Sequence, residues 1–166
     1  MSQLRELLTN PVPKNKEPEK RGCIYRGKRI LLVEDNELNQ EIAQTILEDA
    51  GFMVETAGDG VVAVKKMEQA VPGQYDLILM DVMMPKLDGF SAVKEIRKDK
   101  DVPVIMLSAR GEEYDKLFAF EIGVDDYVTK PFSPKEVMAR IHAVTKRKAA
   151  KKKEDENRVL KFEGLE

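Results

Sequence analysis

The chain of 166 residues contains one cysteine, one histidine and no long apolar run. Cys23 has no partner for an internal disulfide, and one cysteine with one histidine is too few for a structural zinc site. No stretch of about 18 apolar residues occurs, so a membrane-spanning helix is not expected. Residues 1–10 lack the apolar core of a signal peptide, and the expected location is the cytoplasm.

A net charge of −2 hides a strong segregation of charge along the chain. Residues 30–145 carry 22 acidic and 12 basic side chains, whereas the segments on either side are net basic. The acidic centre argues against nucleic acid as its direct ligand. The lysines between Lys146 and Lys153 would give weak DNA binding without sequence preference, so this chain alone is not expected to bind specific DNA.

From residue 29 onward, short apolar runs alternate with amphipathic patterns, whereas residues 1–28 predict a flexible leader or linker. The predicted strands are 30–33, 52–57, 75–80, 102–107 and 127–128, and helical patterns follow Asn36, Asp59, Asp88, Gly111 and Ser133. Short loops between alternating strands and helices imply right-handed crossovers and a parallel sheet covered on both faces. The predicted fold is a three-layer α/β sandwich, in which active residues lie beyond the carboxyl ends of the strands.

Polar side chains stand at those strand ends. Glu34 and Asp35 follow the first strand, and Asp81 follows the third, where Pro85 soon prevents further regular pairing. Three adjacent carboxylates repel one another unless a cation lies among them. Mg²⁺ would fit oxygens of Asp35 and Asp81, Glu34 through water, and the backbone carbonyl of Met83.

Ser108 follows the fourth strand and Lys130 follows the fifth, so both are expected at the same edge of the sheet. Each alone would be an ordinary turn or surface residue, but metal, lysine and hydroxyl together describe a site for a phosphoryl group. Asp81 would be the covalent acceptor, Lys130 would neutralise the phosphoryl oxygens and Ser108 would donate a hydrogen bond. The single histidine, His142, lies in a helical pattern, so the donor is expected to be another protein.

A rival interpretation is a metal-dependent phosphatase with an aspartate nucleophile. That chemistry would want a second carboxylate two residues after Asp81, where Met83 stands. A second rival is an interaction module that works without phosphorylation. The complete set of acidic, hydroxyl and lysine side chains argues against it, and we expect a switch module that is not an enzyme in its own right.

Several motifs occur in a characteristic order: Val33-Glu34-Asp35-Asn36, Asp81 with Met84-Pro85 and Asp88-Gly89, Ser108-Ala109, Asp125-Asp126-Tyr127 and Lys130-Pro131-Phe132. With them, residues 29–147 resemble the receiver domain of bacterial two-component response regulators, the CheY-like family. The resemblance implies a flavodoxin-like, doubly wound sheet of order 2-1-3-4-5. It also implies phosphoryl transfer to Asp81 from a histidine kinase or a histidine phosphotransfer protein.

The same resemblance implies a cis peptide bond before Pro131 and a switch in which Ser108 moves toward the phosphate while Tyr127 turns inward. Residues 27–85 resemble receivers of hybrid sensor kinases, which leaves open a role as an intermediate in a phosphorelay. Residues from Leu87 onward resemble receivers of winged-helix regulators of the OmpR/PhoB type. We therefore expect a fusion or chimera, or a truncated chain, with residues 148–166 forming a linker and residues 158–165 the first strand of an absent effector domain.

Resemblance to winged-helix regulators also implies a homodimer that forms on phosphorylation. Its face would comprise the fourth predicted helix, the fifth strand and the fifth helix. The implied contact has an apolar centre and a ring of charge pairs: Leu117, Phe120 and Met138 at the centre, with Lys116 and Glu136, Asp126 and Arg140, and Glu121 and Arg147 around it. In a two-fold contact each pair would occur twice.

Overall fold

The computed structural model describes residues 25–109, 111 and 113–163. They form a five-stranded parallel sheet of order β2-β1-β3-β4-β5, as the resemblance implied. The strands are β1 Arg29–Val33, β2 Met53–Ala57, β3 Leu77–Asp81, β4 Val104–Ser108 and β5 Asp126–Thr129. The helices are α1 Glu37–Asp49, α2 Gly60–Gln69, α3 Gly89–Ile96, α4 Glu113–Glu121 and α5 Pro134–Glu163.

The three central strands are apolar except at Arg29, which begins β1, and at Asp81 and Ser108, which end β3 and β4, because both faces of these strands are covered. Successive side chains of a strand point to opposite faces, so Leu31 and Ile78 belong to one core cluster while Ile30 and Leu77 belong to the other. All four are fully buried. Two hydrophobic cores, one on each side of the sheet, therefore hold the strand ends in fixed register.

Helix starts follow the capping residues predicted from the sequence. The side chains of Asn36, Asp59 and Asp88 each accept a hydrogen bond from a backbone N–H three residues later, and Ser133 does the same at the start of α5. All four caps lie in loops that follow the carboxyl end of a strand. Local sequence signals thus place the loops that carry the polar residues.

The strand bounds differ by one or two residues from those predicted. β3 extends through Asp81 and β4 through Ser108, so both residues end a strand instead of following one. Each polar residue continues the backbone pairing of an apolar run, which apolar periodicity alone does not detect. Asp81 is paired in register with Leu107, which fixes its backbone more firmly than a loop would.

The C-terminal segment differs from the strand expected at residues 158–165. Residues 134–163 form one continuous helix, and the part of 158–165 that the structure describes, 158–163, is helical. Residues 146–156 are rich in Lys, Ala and Glu, which favour helix over strand. The linker and effector assignment of residues 148–166 stays a prediction, and residues 1–24 of the predicted leader lie outside the described residues. Among the described residues, no helix is long and apolar enough to cross a membrane.

Arg97 ties together the loops at the opposite edge of the sheet. Its guanidinium donates to the carbonyls of Lys100, Val102 and Gly123 and to the carboxylate of Asp125. Burial lowers the pKa of Arg97, and the carboxylate of Asp125 opposes that shift. Lys148 of α5 joins this edge, with Nζ 2.8 Å from Asp101 Oδ1 and 3.8 Å from Asp125 Oδ1. Residues 149–161 of α5, beyond Lys148, are exposed.

Candidate functional site

Three carboxylates meet at the carboxyl edge of the sheet. Val33 is paired in register with Met80, so the next residues along the two strands, Glu34 and Asp81, lie side by side. Asp35 follows in the turn, and one carboxylate oxygen of each of the three acids lies within 4.8 Å of the others. Glu34 and Asp81 are buried, whereas Asp35 is exposed to solvent. The structure thus assembles the acidic cluster predicted from the sequence.

Lys130 links two of these carboxylates. It follows β5, and its Nζ lies 2.8 Å from Glu34 Oε2 and 3.6 Å from Asp81 Oδ1. The peptide bond between Lys130 and Pro131 is cis, as the resemblance implied. One ammonium among three carboxylates leaves the site net negative.

Burial raises the pKa of Asp81 from 3.8 to about 6. Lys130 opposes this shift, while the carboxylates of Glu34 and Asp35 add to it. The backbone N–H of Met83 also donates to Asp81 and favours its charged form. The remaining negative charge and the purely oxygen donor set fit a hard divalent cation such as Mg²⁺. Whether the carbonyl of Met83 is a ligand stays a prediction; its side chain is half-exposed.

Ser108 ends β4, the strand next to β3, and Tyr127 lies on β5. Ser108 is fully buried, one residue after Leu107, which is the register partner of Asp81. Tyr127 is paired with Met106 and is also buried, packed in the core on the same face of the sheet as Met106. Tyr127 therefore packs in the core in this structure, and the switch that the resemblance implies for Ser108 and Tyr127 stays a prediction.

Gln40 contacts the acidic turn at Glu34, which was not predicted from the sequence. Its Nε2 donates to the backbone carbonyl of Glu34 at 3.2 Å, and the backbone N–H of Asn36 donates to Glu34 Oε1 at 3.3 Å. The sequence signal was its place in the first turn of a capped helix, from which a side chain can reach back to the preceding turn. The pattern of apolar residues gave no reason to single it out.

Gly89 also supports the site through close packing. A Cβ at Gly89 would lie 2.9 Å from Met106 Cε, 3.0 Å from Val82 Cα and closer still to the backbone carbonyl oxygen of Asp81. Only glycine allows the start of α3 to approach the end of β3 this closely. The Asp88-Gly89 motif therefore contributes to the backbone geometry of the candidate acceptor.

The predicted dimer face has both exposed apolar residues and charges. Leu117 and Phe120 on α4 are exposed, whereas Met138 on α5 is partly buried against the core. Arg140 Nη1 lies 3.0 Å from each carboxylate oxygen of Asp126 in the same chain. Other members of the ring lie at the surface: Glu121, Glu136 and Arg147 are exposed and Lys116 is half-buried. A charge pair expected between two chains is thus formed here within one.

Comparison with known proteins extends the resemblance. A family model for the response regulator receiver domain matches residues 30–142. The transcriptional regulatory protein CpxR homolog of Haemophilus influenzae is 44% identical over 138 residues, which are 82% of this chain and 59% of that protein. The alkaline phosphatase synthesis transcriptional regulatory protein PhoP of Bacillus subtilis is 48% identical over 122 residues, 73% of this chain and 50% of that protein.

Solved structures give the same result. The receiver domain of the sensor histidine kinase PA1611 from Pseudomonas aeruginosa, with a magnesium ion coordinated in its active site cleft, matches with a TM-score of 0.65 and 38% identity. That match covers 72% of this chain and 98% of the solved one. The chain spans about half the length of the curated relatives that it matches. From the family match, the identities and the fold, the chain belongs to the response regulator receiver family.

Proposed function

We propose that the chain is a phosphoacceptor switch that takes a phosphoryl group onto Asp81 from a histidine kinase or a histidine phosphotransfer protein. The observation that carries this proposal is the contact of Lys130 Nζ with both Glu34 and Asp81 at the carboxyl edge of the sheet. A structural ion pair would need one acid, whereas this lysine faces an acidic cluster with a surplus of negative charge. A cation and an incoming phosphoryl group would both find complementary partners there.

In the transfer, an oxygen of the Asp81 carboxylate attacks the phosphorus of the donor's phosphohistidine. The P–N bond breaks, its electron pair returns to the imidazole, and an acyl phosphate forms on Asp81. Lys130 moves its charge from Glu34 toward the phosphoryl oxygens, and the hydroxyl of Ser108 donates to one of them. Asp35 and Asp81, with Glu34 through water, would hold Mg²⁺, which would supply charge neutralisation.

An exposed apolar patch next to the site supports an external donor. Leu38 and Ile42 lie one turn apart on α1 and are 65% and 52% exposed. The α1 residue that is buried in the core is Leu47. Because the patch adjoins the turn that carries Asp35, a helical partner protein could pack on it while presenting its phosphohistidine to Asp81. Both a kinase and a phosphorelay protein would satisfy this geometry.

Intact mass measurement tests the assignment. The wild-type chain incubated with Mg²⁺ and a small phosphodonor is expected to gain one phosphate, and Asp81→Asn is expected to gain none. Asp99→Asn, which changes an exposed aspartate remote from the site, should behave as wild type. A Mg²⁺-dependent phosphate of similar yield on Asp81→Asn would show that the acceptor is elsewhere. Lys130→Ala should still bind Mg²⁺ but lose the response to phosphate.

The absence of catalytic turnover is part of the same proposal. A phosphatase with an aspartate nucleophile would need a proton-transferring carboxylate close to Asp81, and the half-exposed Met83 holds that place. We expect one phosphate per chain and no sustained hydrolysis of the phosphodonor. Rapid multiple turnover would favour the phosphatase.

We further propose a phosphorylation-linked homodimer through the face made by α4, β5 and α5. Leu117 and Phe120 are exposed there, and their apolar area would provide most of the affinity. Exposed charge pairs contribute about 0.2–1 kcal/mol each, so the ring would mainly set the register. The Asp126–Arg140 pair, closed within one chain here, would exchange partners across the two-fold axis.

A mixture of two variants distinguishes an Asp126–Arg140 pair formed within one chain from one formed between two chains. Asp126→Arg alone and Arg140→Asp alone each place like charges together within one chain and across the dimer. In the mixture, like charges remain within each chain, and only contacts between chains become complementary. Sedimentation with a phosphoryl mimic should therefore show dimers in the mixture and not in either variant alone; dimers equal in all three samples would contradict this interface.

The regulatory output of the chain, meaning the effector that it controls, is proposed from its relatives. Both relatives described above are named transcriptional regulators and are about twice as long as the matched region. We propose that a DNA-binding effector would follow α5 in a full-length protein, and that residues 25–163 alone give no specific footprint on DNA. A sequence-specific footprint at physiological salt would contradict this.

The idea that two receiver subfamilies are joined near residues 85–87 also remains a proposal. Its support is the change in motif resemblance between the two halves of the chain. The CpxR homolog matches across both halves, as would be expected either of one lineage or of two joined homologous receivers. Sequencing the chromosomal gene would decide, since a fusion made in the laboratory has no natural reading frame across the junction.

A further inference from the structure

We propose that Gln40 is a positioning residue that holds the acidic turn in the geometry needed for cation binding. This inference rests on the proposed function of Glu34, Asp35 and Asp81 as a Mg²⁺ site. Gln40 lies in the first turn of α1 and is half-buried. Its Nε2 donates to the backbone carbonyl of Glu34 at 3.2 Å, and its own backbone N–H donates to the carbonyl of Asn36 at 2.9 Å. The side chain thus joins the helix to the turn before it.

The turn needs this contact because the sheet stops holding the backbone there. The N–H of Glu34 still donates to the carbonyl of Ala57 on β2 at 3.1 Å. Beyond that bond, β1 has ended and α1 has not begun. The amide of Gln40 fixes the orientation of the peptide group between Glu34 and Asp35 through the carbonyl oxygen of Glu34.

Asp35 is the member of the cluster that depends most on this orientation. Glu34 is held independently, since Lys130 Nζ contacts its Oε2 at 2.8 Å, and Asp81 is held by the pairing of β3 with β4. Asp35 is exposed, and the direction of its side chain follows from the backbone that carries it. If the peptide group before Asp35 rotates, its carboxylate leaves the set of oxygens that now lie within 4.8 Å of one another. Fixing that peptide group therefore preorganises the site for a cation.

The chemistry of glutamine suits this role. Its amide can donate to the carbonyl without bringing a charge to the site, whereas a glutamate would add to the repulsion and a lysine would compete with the cation. Gln44, one turn later on α1, gives a useful contrast, because its Nε2 donates to Glu48 Oε1 at 2.8 Å on the exposed surface. The two glutamines share a helix and a residue type, but only Gln40 contacts the acidic turn.

The test compares Gln40→Leu with Gln44→Leu. Leucine keeps a similar volume and helix propensity but removes the amide donor. Calorimetric titration with Mg²⁺ alone should give a dissociation constant about 3 to 10 times higher for Gln40→Leu, the range expected when one hydrogen bond is lost. Gln44→Leu should stay within about twofold of wild type, since a surface hydrogen bond contributes little to a remote site.

A second readout separates positioning from general damage. Phosphorylation by a small phosphodonor should reach the wild-type rate at saturating Mg²⁺ in Gln40→Leu, while the Mg²⁺ concentration for half-maximal rate rises by the same factor as the dissociation constant. Amide NMR shifts of the variant should change around residues 34–36 and not in the core strands. A lower rate at saturating Mg²⁺ with unchanged affinity would overturn the inference, as would equal Mg²⁺ affinities of Gln40→Leu and wild type.

Failure of the proposed phosphoacceptor function gives results that differ from failure of the role of Gln40. If the wild-type chain binds Mg²⁺ but takes no phosphate, the phosphoacceptor function fails, and the shift in Mg²⁺ affinity of Gln40→Leu still decides the role of Gln40. If the wild-type chain binds no Mg²⁺ at millimolar concentration, the positioning role is wrong together with the metal site.

Discussion

Replacing Asp81 by asparagine should raise the free energy of unfolding of the metal-free protein at neutral pH. Burial, helped by Glu34 and Asp35 against the opposing charge of Lys130, raises the pKa of Asp81 from 3.8 to about 6. A difference of about two pH units corresponds to a penalty of about 3 kcal/mol for keeping the carboxylate charged in the folded state. We expect a gain of about 1–3 kcal/mol, because the asparagine amide removes the charge, and the raised pKa already includes the attraction of Lys130.

The pH dependence has a definite sign. Between pH 3.8 and about 6 the folded chain binds more protons at Asp81 than the unfolded chain does, so this group makes stability fall as pH rises. The penalty is complete above the folded pKa and vanishes below the unfolded one. The advantage of Asp81→Asn should therefore be full at about pH 7.5 and shrink to about a third at about pH 4.5.

Urea unfolding in the presence of a chelator measures this directly. The midpoint for Asp81→Asn should lie above that of wild type at pH 7.5 with an unchanged m-value, and the two midpoints should approach each other at pH 4.5. Asp99→Asn controls for the loss of one negative charge at an exposed position. The reasoning is refuted if Asp81→Asn is no more stable than wild type at pH 7.5, or if its gain is equal at both pH values.

Two further substitutions probe the packing that supports the site and the opposite edge. Gly89→Ala should destabilise the fold by about 2–4 kcal/mol in urea, because the added methyl group meets the backbone of Asp81, whereas Gly58→Ala, with nothing within 4 Å, should cost under about 1 kcal/mol. Arg97→Met should cost about 2–4 kcal/mol, since three carbonyls lose this donor and the carboxylate of Asp125 keeps only the N–H of Val104 and the more distant Lys148, while Lys98→Met at the exposed neighbouring position should change stability by less than about 0.5 kcal/mol. Equal losses within either pair would contradict the contacts described.

The sequence was sufficient to predict the fold and the cluster at its edge because both rest on local signals. Apolar runs such as residues 30–33, capping residues and short loops require alternating strands and helices, and parallel strands bring their carboxyl ends together. Glu34, Asp81 and Lys130 then had to meet. The distances among them depend on the strand register, which cannot be read from the sequence. In the structure, the pairing of Val33 with Met80 fixes that register.

Other features depended on side-chain directions that no periodicity encodes. Leu38 and Ile42 of α1 are apolar yet exposed, because the apolar pattern of a short helix with a wide apolar arc does not fix which of its residues face the sheet. The Asp126–Arg140 pair was expected between chains, and the structure forms it within one because the two residues lie on adjacent elements. Residues 158–163 continue a helix because lysine and glutamate extend α5 well past its last buried position.

That continuous helix has a mechanical consequence. In the part of α5 whose side chains the structure describes, Lys148 is the last to form an ion pair with the rest of the domain. The residues from 149 to 163 would project as a rod of about 22 Å at 1.5 Å per residue. A flexible tether limits how far apart two bodies are, but a rod also sets the direction in which the second one points. A tilt of about 5° at the anchor would carry the far end by about 2 Å. Small rearrangements of the loop containing Asp125 would thus emerge as a larger displacement at the end of α5.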